Sequence, residues 1–179
     1  MTTPGFNQQI DGVVVVDPAS HGDARGSFVE TWREEWVPGA RRMVQSNRSD
    51  KVAGSLIGLH YHLAQADYWY LVTGSARVFL HDLRPSSSTH GATLRLDLEG
   101  GHHRGVYIPP GVAHGFSALS DVVLFYLVDA YYDPADELGV AWDDPELGLD
   151  WGIARPVLSP RDVSNPRRRD IPPERLPTS

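Results

Sequence analysis

Two histidines set two residues apart, His60 and His62, carry the first chemical signal in this chain. They sit in Gly54 to Gly74, Gly-Ser-Leu-Ile-Gly-Leu-His-Tyr-His-Leu-Ala-Gln-Ala-Asp-Tyr-Trp-Tyr-Leu-Val-Thr-Gly, which reads as two strands joined by a short connection. Residues i and i+2 of a strand share a face, so both imidazoles point the same way. Asp67 follows in the connection or at the start of the second strand, and His114 comes after the Pro109-Pro110-Gly111 turn. Such a set can do two kinds of work. An imidazole titrates near neutrality and can take a proton from carbon or oxygen. Three imidazoles and a carboxylate can instead hold Zn, Fe, Mn or Ni and leave room for water or a substrate. A histidine that holds an ion is not a free base, so the two uses of His60 exclude each other.

The rest of the composition narrows the chemistry. The 179 residues suit one domain, with 41% hydrophobic and 22% charged residues as in an ordinary globular chain. There is no cysteine, which removes disulfides, thiol nucleophiles and thiolate metal sites. Lys51 is the single lysine, and nothing near it in sequence recommends Schiff-base chemistry. Gly-x-Ser-x-Gly and glycine-rich phosphate loops are absent. A net charge of −7 argues against nucleic acid and anionic membranes as partners. Arg167-Arg168-Arg169, the one basic cluster, lies in a Pro-rich stretch and reads as solvated. No signal peptide and no spanning segment is expected, so the location is taken as cytoplasmic.

Short strands must position these groups. Ile10 to Val16, Met43 to Asn47, the two strands around His60 and Asp67, Ala76 to Asp82, Leu94 to Leu98, Val106 to Ile108, Gly115 to Leu119 and Val122 to Ala130 are each bounded by Gly, Pro or Asp. Asp23 to Gly26 is a turn, and Thr31 to Val37 holds a helical turn or two before Pro38-Gly39. Many short strands without a long amphipathic helix indicate an all-β fold, with a double-sheet jelly roll the best fit. Residues 1–164 are expected to form one domain, and 165–179 a Pro- and Arg-rich tail or an arm lying on a surface.

Several blocks in order carry a resemblance: Asp23-Ala24-Arg25-Gly26-Ser27-Phe28-Val29-Glu30, Gln45-Ser46-Asn47, Gly58-Leu59-His60-Tyr61, Asp82-Leu83-Arg84, Tyr107 to Phe116, and Leu158-Ser159-Pro160-Arg161-Asp162. From about Asp11 to Asp162 the chain resembles the dTDP-4-dehydrorhamnose 3,5-epimerases of nucleotide-sugar biosynthesis, as a divergent member. The resemblance implies a cupin jelly roll and a homodimer that exchanges N-terminal strands. It also implies a nucleotide-linked 4-keto-6-deoxy sugar as substrate, with no cofactor. By resemblance His60 is the base, Asp162 the carboxylate that orients it, and Tyr126 the acid that returns a proton. Arg25, Glu30, Gln45, Asn47, His114 and Tyr132 match positions that contact the nucleotide and sugar.

The departures fall in one place. Where the family has Arg this chain has Ile57, and where the family has Lys it has Asp67. His62 replaces a residue that is commonly Gln, and the loop before Gln65 is three residues shorter. The segment now fits the metal-binding cupin pattern: Gly54, five residues, His60, one, His62, four, Asp67, six, Gly74, with His114 as the third histidine. An alternative expectation is therefore a metal-dependent cupin enzyme for a different small molecule, with His60, His62, Asp67 and His114 as ligands. Ile57 should turn away from the His60 face by strict alternation, unless Gly58 makes a bulge.

Overall fold

The computed structural model describes residues 4–6 and 9–178. In chain order the strands are β1 Pro4–Phe6, β2 Val14–Val16, β3 Ser20–Asp23, β4 Gly26–Val29, β5 Gln45–Lys51, β6 Leu56–Tyr61, β7 Asp67–Thr73, β8 Ser75–Asp82, β9 Thr93–Glu99, β10 Gly105–Ile108, β11 Val112–Ala118, β12 Val122–Val128 and β13 Leu138–Gly139. A six-stranded sheet runs β1-β2-β10-β7-β12-β5, and a five-stranded sheet runs β13-β6-β11-β8-β9. Each ladder between these strands is antiparallel. The two sheets stack as the expected jelly roll. β3 and β4 form a separate hairpin with its turn at Ala24-Arg25.

β7, β10 and β11 are near-continuous buried runs because both faces of their sheets are covered there, whereas the edge strand β9 alternates buried leucines with exposed polar residues. Between the sheets pack Trp69 and Leu71 of β7, Val78 and Leu80 of β8, Val106 and Ile108 of β10, and Phe116 of β11. On the outer face of the six-stranded sheet Tyr68, Tyr70 and Tyr107 lie against Trp36 and Val37, the last residue of the 3-10 turn Glu34–Trp36 and the residue that caps it. On the outer face of the five-stranded sheet Leu59, Tyr61 and Phe79 lie against Val140, Trp151 and Ile171. β5 is polar on both faces. It carries Gln45, Asn47, Ser49 and Lys51 half-buried on one face and Ser46, Arg48 and Asp50 exposed on the other, so no apolar alternation marks its length.

The Pro- and Arg-rich segment runs as an arm along the outer face of the five-stranded sheet. Ile171 is buried there, and the Tyr61 hydroxyl donates to the Arg175 carbonyl at 3.0 Å. The basic run is held by acids, with Arg168 and Arg169 at 3.5 and 3.8 Å from Glu146.

His81 lies near this segment, 3% exposed, with Nδ1 2.8 Å from Thr93 Oγ1 and a buried Nε2 that has no hydrogen-bond partner among the described residues. Burial, with the positive charge of Arg168 second, pushes its pKa down to about 4. The unfolded chain therefore binds this proton first as the pH falls. Stability carried by neutral His81 is complete above roughly pH 6.5 and is lost on going down toward pH 4, by about 3 kcal/mol at most. Urea midpoints measured between pH 7 and pH 4 should fall in the native protein, and the His81→Gln variant should lose that part of the slope.

Candidate functional site

A cavity of about 320 Å³ opens between the sheets, and inward-facing side chains of β5, β6, β7, β11 and β12 line it. His60, His62, Asp67, Trp69, His114 and Tyr126 all face it. A second lobe of about 270 Å³ adds Gln45 and Asn47, and shares Gln65, Tyr126, Tyr132 and Glu137 with the first. His60, near the end of β6, and His62, one residue past it, do line one cavity, as their spacing suggests.

Ile57 lines the cavity as well, against strict alternation. The register between β6 and β11 slips from His114↔His60 to Phe116↔Ile57, a bulge that lets Ile57 and His60 turn to one side. The bulge needs two glycines at one crossing. Gly58 has φ +106°, and a Cβ there would meet the His114 carbonyl oxygen at 2.7 Å. A Cβ on Gly115 would meet the Ile57 carbonyl oxygen at 2.6 Å. Backbone against backbone at that distance leaves no room for a side chain.

His60 Nε2 lies 2.5 Å from Asp162 Oδ1. Asp162 sits in the short helix α1 Pro160–Ser164, capped by Ser159. The Ser159 hydroxyl donates to Asp162 Oδ2 at 2.7 Å, and its oxygen accepts the Asp162 backbone N–H at 3.1 Å. This reciprocal cap fixes the carboxylate behind the ring. Burial raises the Asp162 carboxyl, but hydrogen bonds from His60 and Ser159 outweigh it and hold the group below the usual carboxylate range. An ionised carboxylate only accepts, so the ring proton sits on Nε2 and the basic lone pair is on Nδ1.

His62 and His114 are fixed the opposite way round. His62 Nδ1 donates to the Asp136 carbonyl and His114 Nδ1 to the Val112 carbonyl, each at 2.9 Å. Their lone pairs are therefore on Nε2. One ligand atom from each of His62, Asp67 and His114 lies within 4.8 Å of the other two, and all three side chains are buried. Burial pushes the His114 pKa down to about 4. Of the four ligands expected for a metal, three converge, while His60 is engaged by Asp162. The expected four-membered set is thus replaced by a base–carboxylate pair beside a three-membered cluster.

Tyr126, on β12 between Asn47 and Trp69, has its phenol raised by burial and by the charges of Asp67 and Glu137. It stays protonated at neutral pH and can donate. Tyr132 is 68% exposed at the rim. Gln45 donates to Asn47 at 2.7 Å. Arg25 and Glu30 are not brought to this cavity. Arg25 pairs with Asp23 at 2.5 Å on the hairpin, and Glu30 pairs with Arg33 at 2.7 Å. Every residue of β3 is exposed, as are Gly26, Ser27 and Phe28 of β4, so the hairpin does not pack on the body of its own chain.

Residues that sequence reasoning passed over also reach the cavity. Lys51 lines it with no ion pair among the described residues, and so does Arg161, paired with Glu137 at 2.5 Å. Lys51 is in step with Gln45 and Asn47 on β5, and extending that strand by four residues would have found it. The shortened loop after His62 is closed by Asp136, whose carboxylate accepts the backbone N–H groups of Leu63, Ala64 and Gln65 at 2.6, 3.1 and 3.1 Å.

Comparisons with known proteins agree with one another. A family model described as dTDP-4-dehydrorhamnose 3,5-epimerase matches residues 7–170. The dTDP-4-dehydrorhamnose 3,5-epimerase of Shigella flexneri is 35% identical over 164 residues, covering 87% of this chain and 91% of that protein. The dTDP-4-dehydrorhamnose 3-epimerase of Streptomyces niveus is 38% identical over 161 residues, covering 86% and 78%. Among solved structures, a dTDP-6-deoxy-D-glucose-3,5-epimerase from Legionella pneumophila in complex with dTDP-4-keto-L-rhamnose superposes with a TM-score of 0.93 at 33% identity, over 100% of this chain and 99% of that one. A 4-keto-6-deoxy sugar epimerase from the novobiocin gene cluster of Streptomyces spheroides gives 0.91 at 34% identity, over 99% and 94%.

The Asp136 carboxylate accepts three successive backbone N–H groups, two on the exposed residues Leu63 and Ala64 and one on half-buried Gln65, and its carbonyl aims His62, so its loss should be felt in both stability and site geometry. Asp136→Ala should cost about 2 to 3 kcal/mol and lower the melting temperature by about 5 to 10 °C in calorimetry, and Asp136→Asn should cost less.

Proposed function

The chain belongs to the dTDP-4-dehydrorhamnose 3,5-epimerase family, and from that premise we propose that it inverts carbon next to the ketone of a nucleotide-linked 4-keto-6-deoxy sugar. The observation that carries this reading is the 2.5 Å contact between His60, which faces the cavity, and the buried carboxylate of Asp162. A C–H beside a ketone is acidified because its electron pair moves into the carbonyl as an enolate. His60 takes that proton at Nδ1 and becomes imidazolium, and Asp162 balances the new charge across Nε2. The Tyr126 phenol gives a proton to the opposite face of the carbon and collapses the enolate to the ketone. Proton exchange with water then returns His60 to neutral and Tyr126 to phenol. No oxidant or reductant enters, so these residues need no redox cofactor.

Gln45, Asn47 and Tyr132 are assigned to holding the sugar and nucleotide, in line with their places around the two lobes, with His114 buried in the same cavity. Lys51 is the cavity cation best able to meet a phosphate or the enolate, since Arg161 is engaged by Glu137. A sugar diphosphate does not cross a bilayer unaided, so we place the enzyme with its substrate in the cytoplasm. None of the described helices is long and apolar enough to cross a membrane.

We further propose a homodimer in which the β3–β4 hairpin serves the neighbouring subunit. The hairpin is exposed along its length, Phe28 is 65% exposed, and Arg25 stands away from its own cavity. An exposed large aromatic beside an arginine is a common anchor for an interface.

In deuterated water the enzyme should place deuterium on carbon 3 or carbon 5 of dTDP-4-keto-6-deoxyglucose. Asp162→Asn should slow this about 10²- to 10⁴-fold, and His60→Asn should abolish it. Absence of deuterium uptake by folded protein would remove the reading. Subunit mixing tests the dimer. His60→Asn and Arg25→Ala proteins, each impaired alone, should regain activity when refolded together, because one mixed site then holds both native residues. No gain on mixing, with hetero-association shown by mass, means that Arg25 does not act across subunits.

A further inference from the structure

The cluster beside the base gathers acceptors around one side-chain amide, Gln65, which reaches Asp67 Oδ1 at 2.9 Å and His62 Nε2 at 3.4 Å and leaves His114 Nε2 unanswered. Three acceptors converge: the lone pairs of His62 Nε2 and His114 Nε2, and the Asp67 carboxylate. His114 Nε2 is 3.7 Å from Asp67 Oδ2, beyond hydrogen-bond reach, and it has no other hydrogen-bond partner among the described residues. The three side chains are 5%, 4% and 5% exposed for His62, Asp67 and His114, and all three line the cavity.

Each member is also braced from behind. Both histidines spend Nδ1–H on a backbone carbonyl, which fixes the ring and presents Nε2 forward. This is the support that metal-bound imidazoles ordinarily have. The Asp67 oxygens accept from Gln65 Nε2 at 2.9 Å and from Trp69 Nε1 at 3.0 Å. The donor set of two neutral imidazoles and one carboxylate is typical of a divalent transition-metal site with open positions.

We infer that His62, Asp67 and His114 form a divalent transition-metal site distinct from the His60–Asp162 pair. Ligands about 2.1 Å from a tetrahedral ion lie about 3.4 Å apart, so the 3.7 Å pair already fits, and the remaining separations, up to 4.8 Å, close by small side-chain turns. Gln65 must move in the process. Its amide donates to Asp67 Oδ1 and lies 3.4 Å from His62 Nε2, and turned over it offers Oε1 to the ion instead. Because His60 is bound to Asp162 and is not a member, the base and the ion coexist. Resting on the epimerase reading, the ion's task is to polarise the sugar's keto oxygen and take up the negative charge of the enolate as His60 removes the proton. No electron is transferred and the ion keeps its charge.

Protein purified without a histidine tag, stripped with chelator and titrated with Zn²⁺ or Co²⁺, should bind one equivalent per chain. Co²⁺ should give visible d–d bands, and Zn²⁺ at about a hundredfold excess over Kd should raise the melting temperature by about 5 to 10 °C. His62→Gln and Asp67→Asn, checked for folding by circular dichroism, should each weaken binding at least about 10-fold. His60→Asn should keep the metal while losing deuterium exchange. Binding of less than about a tenth of an equivalent overturns the site, and loss of metal in His60→Asn overturns the ligand set. Undiminished exchange by verified metal-free protein removes the ion from the reaction and leaves the epimerase reading standing. Metal bound with no exchange on the keto sugar leaves the site standing and removes the epimerase reading.

Discussion

A buried carboxylate facing a single imidazole is the constraint around which this site is built. Asp162 is 3% exposed, and an ion in that position is costly unless both oxygens are answered. Ser159 answers one and His60 the other. Holding Ser159 there requires the Leu158-Ser159-Pro160 entry and the short helix it caps, which in turn packs its start against β6. The base, its tautomer and the packing of the C-terminal segment are therefore one arrangement. Moving any part leaves either an uncompensated charge or a histidine of undefined proton position.

The same reasoning explains why the cavity holds two kinds of histidine. His60 gives its ring N–H to a carboxylate, which orients the ring and sets a counter-charge behind it. His62 and His114 give theirs to carbonyls, which orient the ring without a counter-charge. Three imidazoles that look alike along the chain are thus sorted by what lies behind them. The sorting is done by the Gly58–Gly115 crossing, which sets the bulge and turns Ile57 and His60 together, and by Asp136, which pins the loop after His62.

Much of this was legible in the sequence because it is written in local chemistry. Turns at Asp23 to Gly26 and the strands rich in Val, Leu and Tyr fall where Gly, Pro and periodicity put them. The pairing of His60 with Asp162, and the presence of Tyr126 in the same cavity, came from motif blocks rather than from periodicity, since a contact across 102 residues leaves no local trace. β5 was cut short because its inward face is polar, and the burial that defines it comes from a cavity rather than from a core. Lys51 lies at the end of that strand, and its neighbours in sequence carry no sign of the cavity it lines. Treating His60 and His62 as equivalent ligands failed for a different reason: spacing gives the face a side chain occupies, and only the residue behind it decides its role. Arg25 and Glu30 match the family pattern, yet no element of their own chain carries them to the cavity.

The reach of 102 residues between His60 and Asp162 also bears on how competence is gained and lost. Closing so long a loop is entropically expensive before its contacts form, so this join belongs late in folding, after the neighbouring strands have paired. The arm that follows Asp162 is tied down by a few anchors, Ile171 and the Tyr61–Arg175 bond among them, and can open for less free energy than either sheet. Opening at that arm leaves His60 on its strand and loosens the segment that holds its Asp162 partner. The catalytic pair is in effect the latch of the fold, and a molecule that turns over substrate has finished closing.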